Sequence, residues 1–256
     1  MNVNYYNEFD KGAAAWLREL ISAKLIPFGY VDERSITEVT ASDVQGFTQC
    51  HFFAGIGGWS YALQLAGVDP SVRLWTGSPP CQPFSTAGKQ LGQLDERHLA
   101  PTFMRLVAQC RPPVLFGEQV AAAIGKHWLD DLFTELENEN YSCGAAILPA
   151  CSVGAPHKRN RLFFGASTLH TDNKRELSTK YIERFGDVIW SDGPHVPNAW
   201  ERYDRLQRKD GNWSRVEPGF KPLANGIPAR MGRLRGYGNA IVPQVAAEFV
   251  KAFMSC

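Results

Sequence analysis

The sequence lacks the features that mark membrane-spanning, secreted and zinc-binding proteins. No run approaches the roughly 18 apolar residues that a membrane-spanning helix needs, and the polar N-terminus has no apolar signal core. The six cysteines are widely spaced, form no Cys-x-x-Cys pair and share no zinc-type spacing with histidine. We therefore expect no metal site and free thiols in a reducing, cytoplasmic compartment.

An excess of charge of one sign is also missing. The net charge is +1 over 256 residues, so any contact with nucleic acid must come from local clusters. Hydrophobic residues make up 44% of the chain and charged residues 21%, as in ordinary globular proteins. The length suits one large α/β domain with a small insert.

The most distinctive stretch is a proline-rich segment at residues 76–89, TGSPPCQPFSTAGK. Proline fixes φ and donates no backbone hydrogen bond, so this segment is predicted to be a stiff loop after a short strand at 72–76. Cys81 lies at its centre. A cysteine on a rigid loop past a strand end is well placed to be a nucleophile, although a buried structural cysteine fits the same pattern.

The rest of the chain alternates between strand and helix patterns. Residues 1–48 are predicted to form a leader, with a solvated connector at 29–40. Helical periodicity predicts helices at 13–24, 59–66, 101–110, 128–139 and 245–254. Short apolar runs predict further strands at 51–53, 114–117, 141–150 and 162–165. This order predicts an α/β fold with a Rossmann-like sheet and helices on both faces.

Polar residues flank two of the predicted strands. Glu118 follows the strand at 114–117, on the rim where open α/β sheets bind ligands and where Cys81 is also expected. A carboxyl group there can hold a raised pKa and stay protonated, or act as an ordinary helix cap or ion-pair partner. Lys158, Arg159 and Arg161 precede the strand at 162–165, and they suit a phosphate or carboxylate partner as well as a solvated turn.

Residues 168–228 differ in character from the rest. Basic residues alternate with tryptophan and tyrosine there, with weak periodicity. This composition suits a nucleic-acid surface, although a loop-rich subdomain with ordinary surface charge has the same composition.

Taken together, these segments resemble the DNA cytosine-5 methyltransferase family. Residues 53–58 (FAGIGG) are similar to its first motif, the cofactor loop, residues 77–89 to its catalytic loop, and residues 238–246 (GNAIVPQVA) to its last motif. Residues 118–120 stand where the family has Glu-Asn-Val, and residues 157–161 stand where it has Gln-x-Arg-x-Arg. The resemblance implies a catalytic domain at 49–167 and 229–256 and a target-recognition region at 168–228.

The resemblance implies covalent chemistry on a cytosine that is flipped out of DNA. Cys81 would add to C6, and a protonated Glu118 would hydrogen-bond N3 and take up the charge that develops on the ring. Arg159 and Arg161 would hold the nucleotide and favour the Cys81 thiolate. The methyl donor implied by the family is S-adenosylmethionine.

The resemblance also assigns binding residues, with double-stranded DNA as the partner of a monomeric protein. The implied cofactor-binding residues are Phe53, Ala54, Gly55, Ile56, Gly57, Gly58, Pro80, Asn239 and Val242. The implied DNA-binding residues are Gln82, Ser85, Lys89, Gln119, Lys158, Arg230 and Arg233.

The sequence departs from the family pattern in the cofactor half. Only 24 positions (81 − 57) separate Gly57 from Cys81, where the family fits two further strands and an acid that binds the cofactor ribose. Asp69 is the one acid between Gly58 and Cys81, and His51 replaces the acid at the head of the first motif. The leader, which is longer than usual for the family, is a candidate to rebuild this half.

Two other functions remain open at this point. The missing ribose acid motivates a different carbon donor, 5,10-methylene-tetrahydrofolate, which would give 5-hydroxymethylcytosine with the same cysteine and glutamate chemistry. A catalytically silent DNA-binding relative is the second alternative, and RNA is a possible target in place of DNA.

Overall fold

One seven-stranded sheet organises the chain. The computed structural model describes residues 2–79, 99–126, 128–155, 157–168, 204–207, 211, 213–216 and 240–255. The strands of the sheet are β1 (Asn4–Asn7), β2 (Gly29–Asp32), β3 (Gln49–Phe52), β4 (Leu74–Gly77), β5 (Val114–Val120), β6 (Ser142–Leu148) and β7 (Arg161–Ser167). A two-stranded sheet contains β8 (Asp204–Gln207) and β9 (Trp213–Val216). The helices are α1 (Lys11–Ser22), α2 (Gly58–Leu65), α3 (Ala100–Cys110), α4 (Trp128–Asn138) and α5 (Pro243–Met254).

The strand order of the large sheet is β2-β1-β3-β4-β5-β7-β6. Neighbouring strands from β2 to β5 are parallel, and β7 lies antiparallel between β5 and β6. Apolar side chains of α3 and α4 share one core cluster with β3 and β5, and those of α2 and α5 share another with β4 and β7. Because alternate residues of a strand face opposite sides, these clusters cover both faces of the sheet. The predicted Rossmann-like α/β fold is confirmed.

The N-terminal segment is part of this sheet, so the boundary predicted at residue 48 is not a structural boundary. β1 pairs in parallel with both β2 and β3, and the predicted helix at 13–24 is confirmed as α1. The prediction of a leader was wrong because the polar residues of β1 are buried in pairs. Asn4 donates to the Gln49 side chain at 3.3 Å and Asn7 to the Arg34 carbonyl at 2.9 Å. Paired polar groups can be buried in a strand that hydrophobicity alone does not reveal.

The solvated connector predicted at 29–40 is right for Arg34 and Glu38, which are exposed, and wrong for Asp32. This segment contains β2, and its Asp32 side chain is 2% exposed. The Asp32 carboxylate accepts hydrogen bonds from the Tyr5 hydroxyl at 2.7 Å and from the Arg34 guanidinium, which also contacts Asp43 at 3.0 Å. Burial acts to raise the pKa of Asp32, and the bonds from Arg34 and Tyr5 outweigh it, so the pKa lies below its ordinary value. This network binds the end of β2 to β1.

The other predicted elements are confirmed with small shifts of their ends. The closing helix, α5, packs beside α2, and Ile241 lies against the turn before α2. A Cβ atom added to Gly58 would come within 2.8 Å of the Ile241 side chain, so this close approach requires glycine. None of the helices in the described ranges is long and apolar enough to cross a membrane.

A histidine occupies the centre of the sheet. His51 is 1% exposed, its Nδ1 lies 2.9 Å from the Thr76 hydroxyl, and its ring stacks on Tyr6 with centroids 5.0 Å apart. Its Nε2 has no hydrogen-bond partner among the described residues. Burial lowers the pKa of His51 to about 3, so the imidazole is neutral in the folded chain.

We predict that His51 makes stability depend on pH. Since the unfolded histidine has an ordinary pKa of about 6.5, the unfolded chain binds a proton below that pH that the folded chain does not, and stability falls as the pH drops from about 6.5 towards 3. Urea unfolding at about pH 5.5 and 4.5 should show a slope steeper by roughly 1.4 kcal/mol per pH unit in wild type than in His51→Gln. Parallel pH dependences of the two proteins would contradict this prediction.

Candidate active site

The turn between β3 and α2 has an unusual backbone. Phe53, Gly55 and Gly57 all have positive φ, at 53°, 55° and 85°. The left-handed conformation of Phe53 costs about 1 kcal/mol or more for a non-glycine residue, and such strain is concentrated at functional sites. The Ala54 N–H donates to the Asn7 carbonyl at 3.0 Å, so the turn is also fastened to β1. The turn contains six of the predicted cofactor residues: Phe53, Ala54, Gly55, Ile56, Gly57 and Gly58.

An acidic residue that was not among the predicted site residues reaches this turn. Glu8 directly follows β1, whose carboxyl end lies beside that of β3. Its Oε2 accepts the Gly55 N–H at 2.7 Å, and its Oε1 accepts the Asp10 N–H at 2.8 Å. The prediction misses Glu8 because it assigns residues 1–48 to a leader. The available signal is local: the pair Tyr5-Tyr6 is followed by an acid and then by a helix pattern, which repeats the strand–turn–helix order of the first motif.

A cavity of about 600 Å³ opens at the carboxyl end of β2. Its lining includes Phe9, Tyr30, Asp32, Arg34 and Ser35. Phe9 directly follows Glu8 and is 73% exposed. Because β2, β1 and β3 are parallel neighbours, this cavity lies at the same edge of the sheet as Glu8 and the turn, where open α/β sheets bind ligands.

The predicted nucleophile lies outside the described residues, but the start of its loop is described. β4 ends at Gly77, and Ser78 and Pro79 follow it. The Trp59 indole N–H donates to the Ser78 hydroxyl at 2.9 Å, and the Gln119 amide donates to the Pro79 carbonyl at 3.3 Å. The predicted residues outside the described part are Pro80, Cys81, Gln82, Ser85, Lys89, Arg230, Arg233 and Asn239.

The placement of Gln119 does not fit its predicted contact with DNA. Its side chain is 3% exposed, and besides the bond to Pro79 its oxygen accepts the Val120 N–H at 3.0 Å. The amide is therefore used inside the protein, where it fastens the loop to β5. Sequence reasoning missed this role because a single residue type does not reveal that β5 is buried on both faces as far as Gln119.

Glu118 and Arg161 are brought together by the antiparallel strands β5 and β7. Glu118 is 8% exposed, and the Arg161 Nε lies 2.7 Å from its Oε1. This contact lies off the N–H direction, so Oε1 has an ion-pair partner but no hydrogen bond from the described residues. Burial raises the pKa of Glu118 to about 7, against the opposing charges of Arg161 and Arg159. The desolvation of the carboxylate outweighs the pair of cations beside it.

The remaining predicted cations have different surroundings. Arg159, with φ at 32°, donates to the Ala240 carbonyl at 2.6 Å and so joins its segment to the one before α5. Val242 is half-buried at the start of α5. Lys158 is exposed. The structure therefore brings Arg161 to Glu118, gives Arg159 a bond to the last motif, and leaves Lys158 at the surface.

The arrangement can support proton transfer beside a nucleotide-type ligand. A carboxyl group with a pKa near neutrality stands next to the start of the Cys81 loop, and a strained turn with an acid beside it stands on the neighbouring strands. Within the described ranges, no three histidine, cysteine, aspartate or glutamate side chains meet in a group that could hold a metal ion.

Comparison with known proteins points to one family. Residues 69–186 match the family model described as C-5 cytosine-specific DNA methylase. The chain is 33% identical over 125 residues to Type II methyltransferase M.AplI of Arthrospira platensis, covering 47% of this chain and 36% of that protein. It is 35% identical over 91 residues to Type II methyltransferase M.HindV of Haemophilus influenzae, covering 36% and 30%. The matched part is about a third of the length of these curated relatives.

A solved structure, that of S. pombe Dnmt2 methyltransferase, aligns with 82% of this chain and 65% of its own, with a TM-score of 0.44 and 15% identity. The family model, in contrast, rests on sequence, and its range includes Cys81 together with both strands that carry Glu118 and Arg161. The chain is therefore similar to C-5 cytosine-specific DNA methylases over residues 69–186.

Proposed function

We propose that this protein transfers a methyl group from S-adenosylmethionine to C5 of a cytosine in DNA. The observation that carries the proposal is the buried Glu118 carboxyl, which Arg161 contacts and whose pKa is raised to about 7. A carboxyl group with that pKa is partly protonated near neutral pH, so it can donate to a ring nitrogen of a bound base. The match of residues 69–186 to the C-5 cytosine-specific DNA methylase model supports cytosine as that base.

In the proposed mechanism, the Cys81 thiolate adds to C6 and the electron pair of the C5–C6 double bond makes C5 nucleophilic. Glu118 donates to N3 through the oxygen that does not contact Arg161, and so takes up the charge that develops on the ring. S-adenosylmethionine, when bound, would supply an electrophilic methyl group. As the bond from C5 to this methyl carbon formed, the methyl–sulfur bond would break and leave S-adenosylhomocysteine. A base then removes the C5 proton, the double bond re-forms and the Cys81 thiolate leaves. Since C6 cannot be reached inside a base stack, the cytosine is flipped out.

The described residues fit this cofactor at three points. The Glu8 carboxylate offers acceptors for ribose hydroxyls next to the turn at residues 53–58. Phe9 presents an exposed aromatic face at the cavity beyond β2, which suits a purine base. Val242, at the start of α5, follows Ile241, which lies against Gly58. Pro80 and Asn239 stay predicted members of the same site.

The observation that favoured a folate donor no longer distinguishes it from S-adenosylmethionine. That alternative depended on the absence of an acid for the cofactor ribose between Gly58 and Cys81. Glu8, which precedes the first motif in the chain, provides an acid at the turn. We therefore propose S-adenosylmethionine alone and leave 5,10-methylene-tetrahydrofolate as an arm of the test.

Duplex DNA is the proposed substrate, and residues 168–228 are the proposed target-recognition region. The hairpin of β8 and β9 lies in this region, and its side chains of Arg205, Gln207 and Trp213 are exposed, Trp213 to 62%. An exposed aromatic beside a cation suits contact with bases and phosphates. Lys158 is exposed as a phosphate contact requires. Contacts from Gln82, Ser85, Lys89, Arg230 and Arg233, and a monomeric state, stay predictions.

The first test identifies the product and the nucleophile. Duplex DNA is incubated with the protein and either S-adenosylmethionine or 5,10-methylene-tetrahydrofolate. The DNA is then digested and its nucleosides are identified by mass spectrometry. We expect 5-methylcytosine, with S-adenosylmethionine only. We also expect that Cys81→Ser abolishes the covalent complex with 5-fluorocytosine DNA, whereas Cys151→Ser, at an exposed cysteine, keeps it. Hydroxymethylcytosine with the folate donor, or no product with either, would overturn the proposal.

The second test concerns the protonation of Glu118. Because the pKa of this carboxyl is raised to about 7, its protonated form is lost as the pH rises through 7, and the single-turnover rate should fall there. The amide of Glu118→Gln cannot give a proton to N3, so this variant should be at least about 100-fold slower than wild type. Because an amide does not titrate near pH 7, its rate should show no fall above about pH 7. Glu248→Gln, at an exposed glutamate of α5, should keep the wild-type profile. A fall above pH 7 that persists in Glu118→Gln would remove Glu118 from this role.

The third test concerns Glu8. Glu8→Gln keeps an oxygen that can accept the Gly55 N–H but loses the charge, so S-adenosylmethionine should bind about 10- to 100-fold more weakly. Calorimetry measures this affinity, and thermal unfolding checks that the fold is kept. Glu19→Gln, at an exposed glutamate of α1, is the matched control. Equal affinity of Glu8→Gln and wild type would show that Glu8 does not bind the cofactor.

A further inference from the structure

The segment that leads to Cys81 has few backbone N–H groups that can donate hydrogen bonds. Pro79 and Pro80 donate no hydrogen bond, so two consecutive residues before Cys81 cannot be fastened through N–H groups. Donors from elsewhere in the chain can instead hold the segment by its acceptors. Trp59 and Gln119 provide such donors, to the Ser78 hydroxyl and the Pro79 carbonyl.

Trp59 is held in place by the strands that carry the acid–base pair. Its indole is 4% exposed and stacks on Phe116 of β5 with centroids 6.3 Å apart. It also meets Phe163 of β7 edge-on at 6.2 Å. Phe163 is the cross-strand partner of Glu118. The indole N–H therefore has a fixed direction, set by the same two strands that bring Glu118 and Arg161 together.

Trp59 also belongs to the helix that begins at the strained turn. It is the second residue of α2, directly after Gly58, against which Ile241 is packed. A displacement of the turn would therefore move the indole, and with it the donor for Ser78. Three parts of the site meet at this one side chain: the turn, the base of the Cys81 loop and the Glu118 strand.

We propose that Trp59 is a positioning residue that holds the base of the Cys81 loop in register with the turn and with Glu118, through the hydrogen bond from its indole to Ser78. Gln119 acts with it as a second anchor at Pro79. Because its side chain is 4% exposed, Trp59 would act through Ser78 and not by contact with cytosine or the methyl donor. Its effect on turnover rests on the proposed function, whereas its effect on the Cys81 loop does not.

The test separates the hydrogen bond from the packing of the ring. Trp59→Phe keeps an aromatic ring without the N–H, Ser78→Ala removes the acceptor, and the double variant combines them. Each protein is briefly alkylated, and the labelling of Cys81 is measured by peptide mass spectrometry relative to exposed Cys151. Each single variant should change this ratio at least about threefold, and the double variant should change it no further, because both remove one interaction. Trp16→Phe, at a tryptophan of α1 that is 51% exposed, should leave it unchanged.

Turnover gives a readout that packing alone would not move. At saturating DNA and S-adenosylmethionine, kcat of Trp59→Phe and of Ser78→Ala should fall about tenfold, as expected for one lost hydrogen bond in a buried site, while both KM values stay within about twofold. An unchanged alkylation ratio, or changes that multiply in the double variant, would overturn the proposal. If wild type modifies no cytosine, the proposed function fails, and the alkylation ratios still decide the role of Trp59. Ser78→Ala decides it if Trp59→Phe does not fold.

Discussion

The parallel pairing of β1 with β3 is the constraint on which the candidate site depends. It brings the carboxyl ends of the two strands side by side, so that Glu8 reaches the N–H of Gly55 and Asn7 reaches that of Ala54. The buried pair Asn4 and Gln49 fastens the other end of the same two strands. A shift of register by one residue would move each of the Tyr5 and Tyr6 side chains to the other face of the sheet and would remove Glu8 from the turn.

Burial sets the chemistry of the polar groups in this sheet, and its result depends on the partners. Asp32 is buried with a bonded guanidinium and a hydroxyl, and the pKa of its carboxyl stays low. Glu118 has Arg161 close by but poorly aligned, and burial raises the pKa of its carboxyl to about 7. Among the described residues His51 has one hydrogen-bonding partner, the Thr76 hydroxyl, and burial lowers the pKa of its imidazole to about 3. One physical cause therefore gives a structural ion pair, a carboxyl group that is partly protonated near neutral pH and a neutral ring.

The parts of this fold that could be predicted are those with strong local signals. Helical periodicity and glycine or proline punctuation were enough for α2 to α5 and for the turn at residues 53–58. Glu118 was expected near the loop rim, because it follows an apolar strand. β1 and β2 were missed because they are four residues long and their buried asparagines and aspartate look like surface residues. Whether a polar residue is buried depends on its partners, which lie up to 45 positions away in the chain.

The strand order of the sheet explains why only 24 positions in sequence separate Gly57 from Cys81. Which side chains meet at the rim of a parallel sheet depends on the position of strands, not on their order in the chain. Bringing two strands from the N-terminus to the free side of β3 adds little cost, because the entropy of loop closure grows only slowly with length. The segment between β3 and β4 then has only α2 to accommodate. That direct connection places the first turn of α2 beside the end of β4, which is what allows Trp59 to reach Ser78. The same strand order that places Glu8 beside the turn thus also joins the turn, through Trp59, to Ser78 at the start of the Cys81 loop.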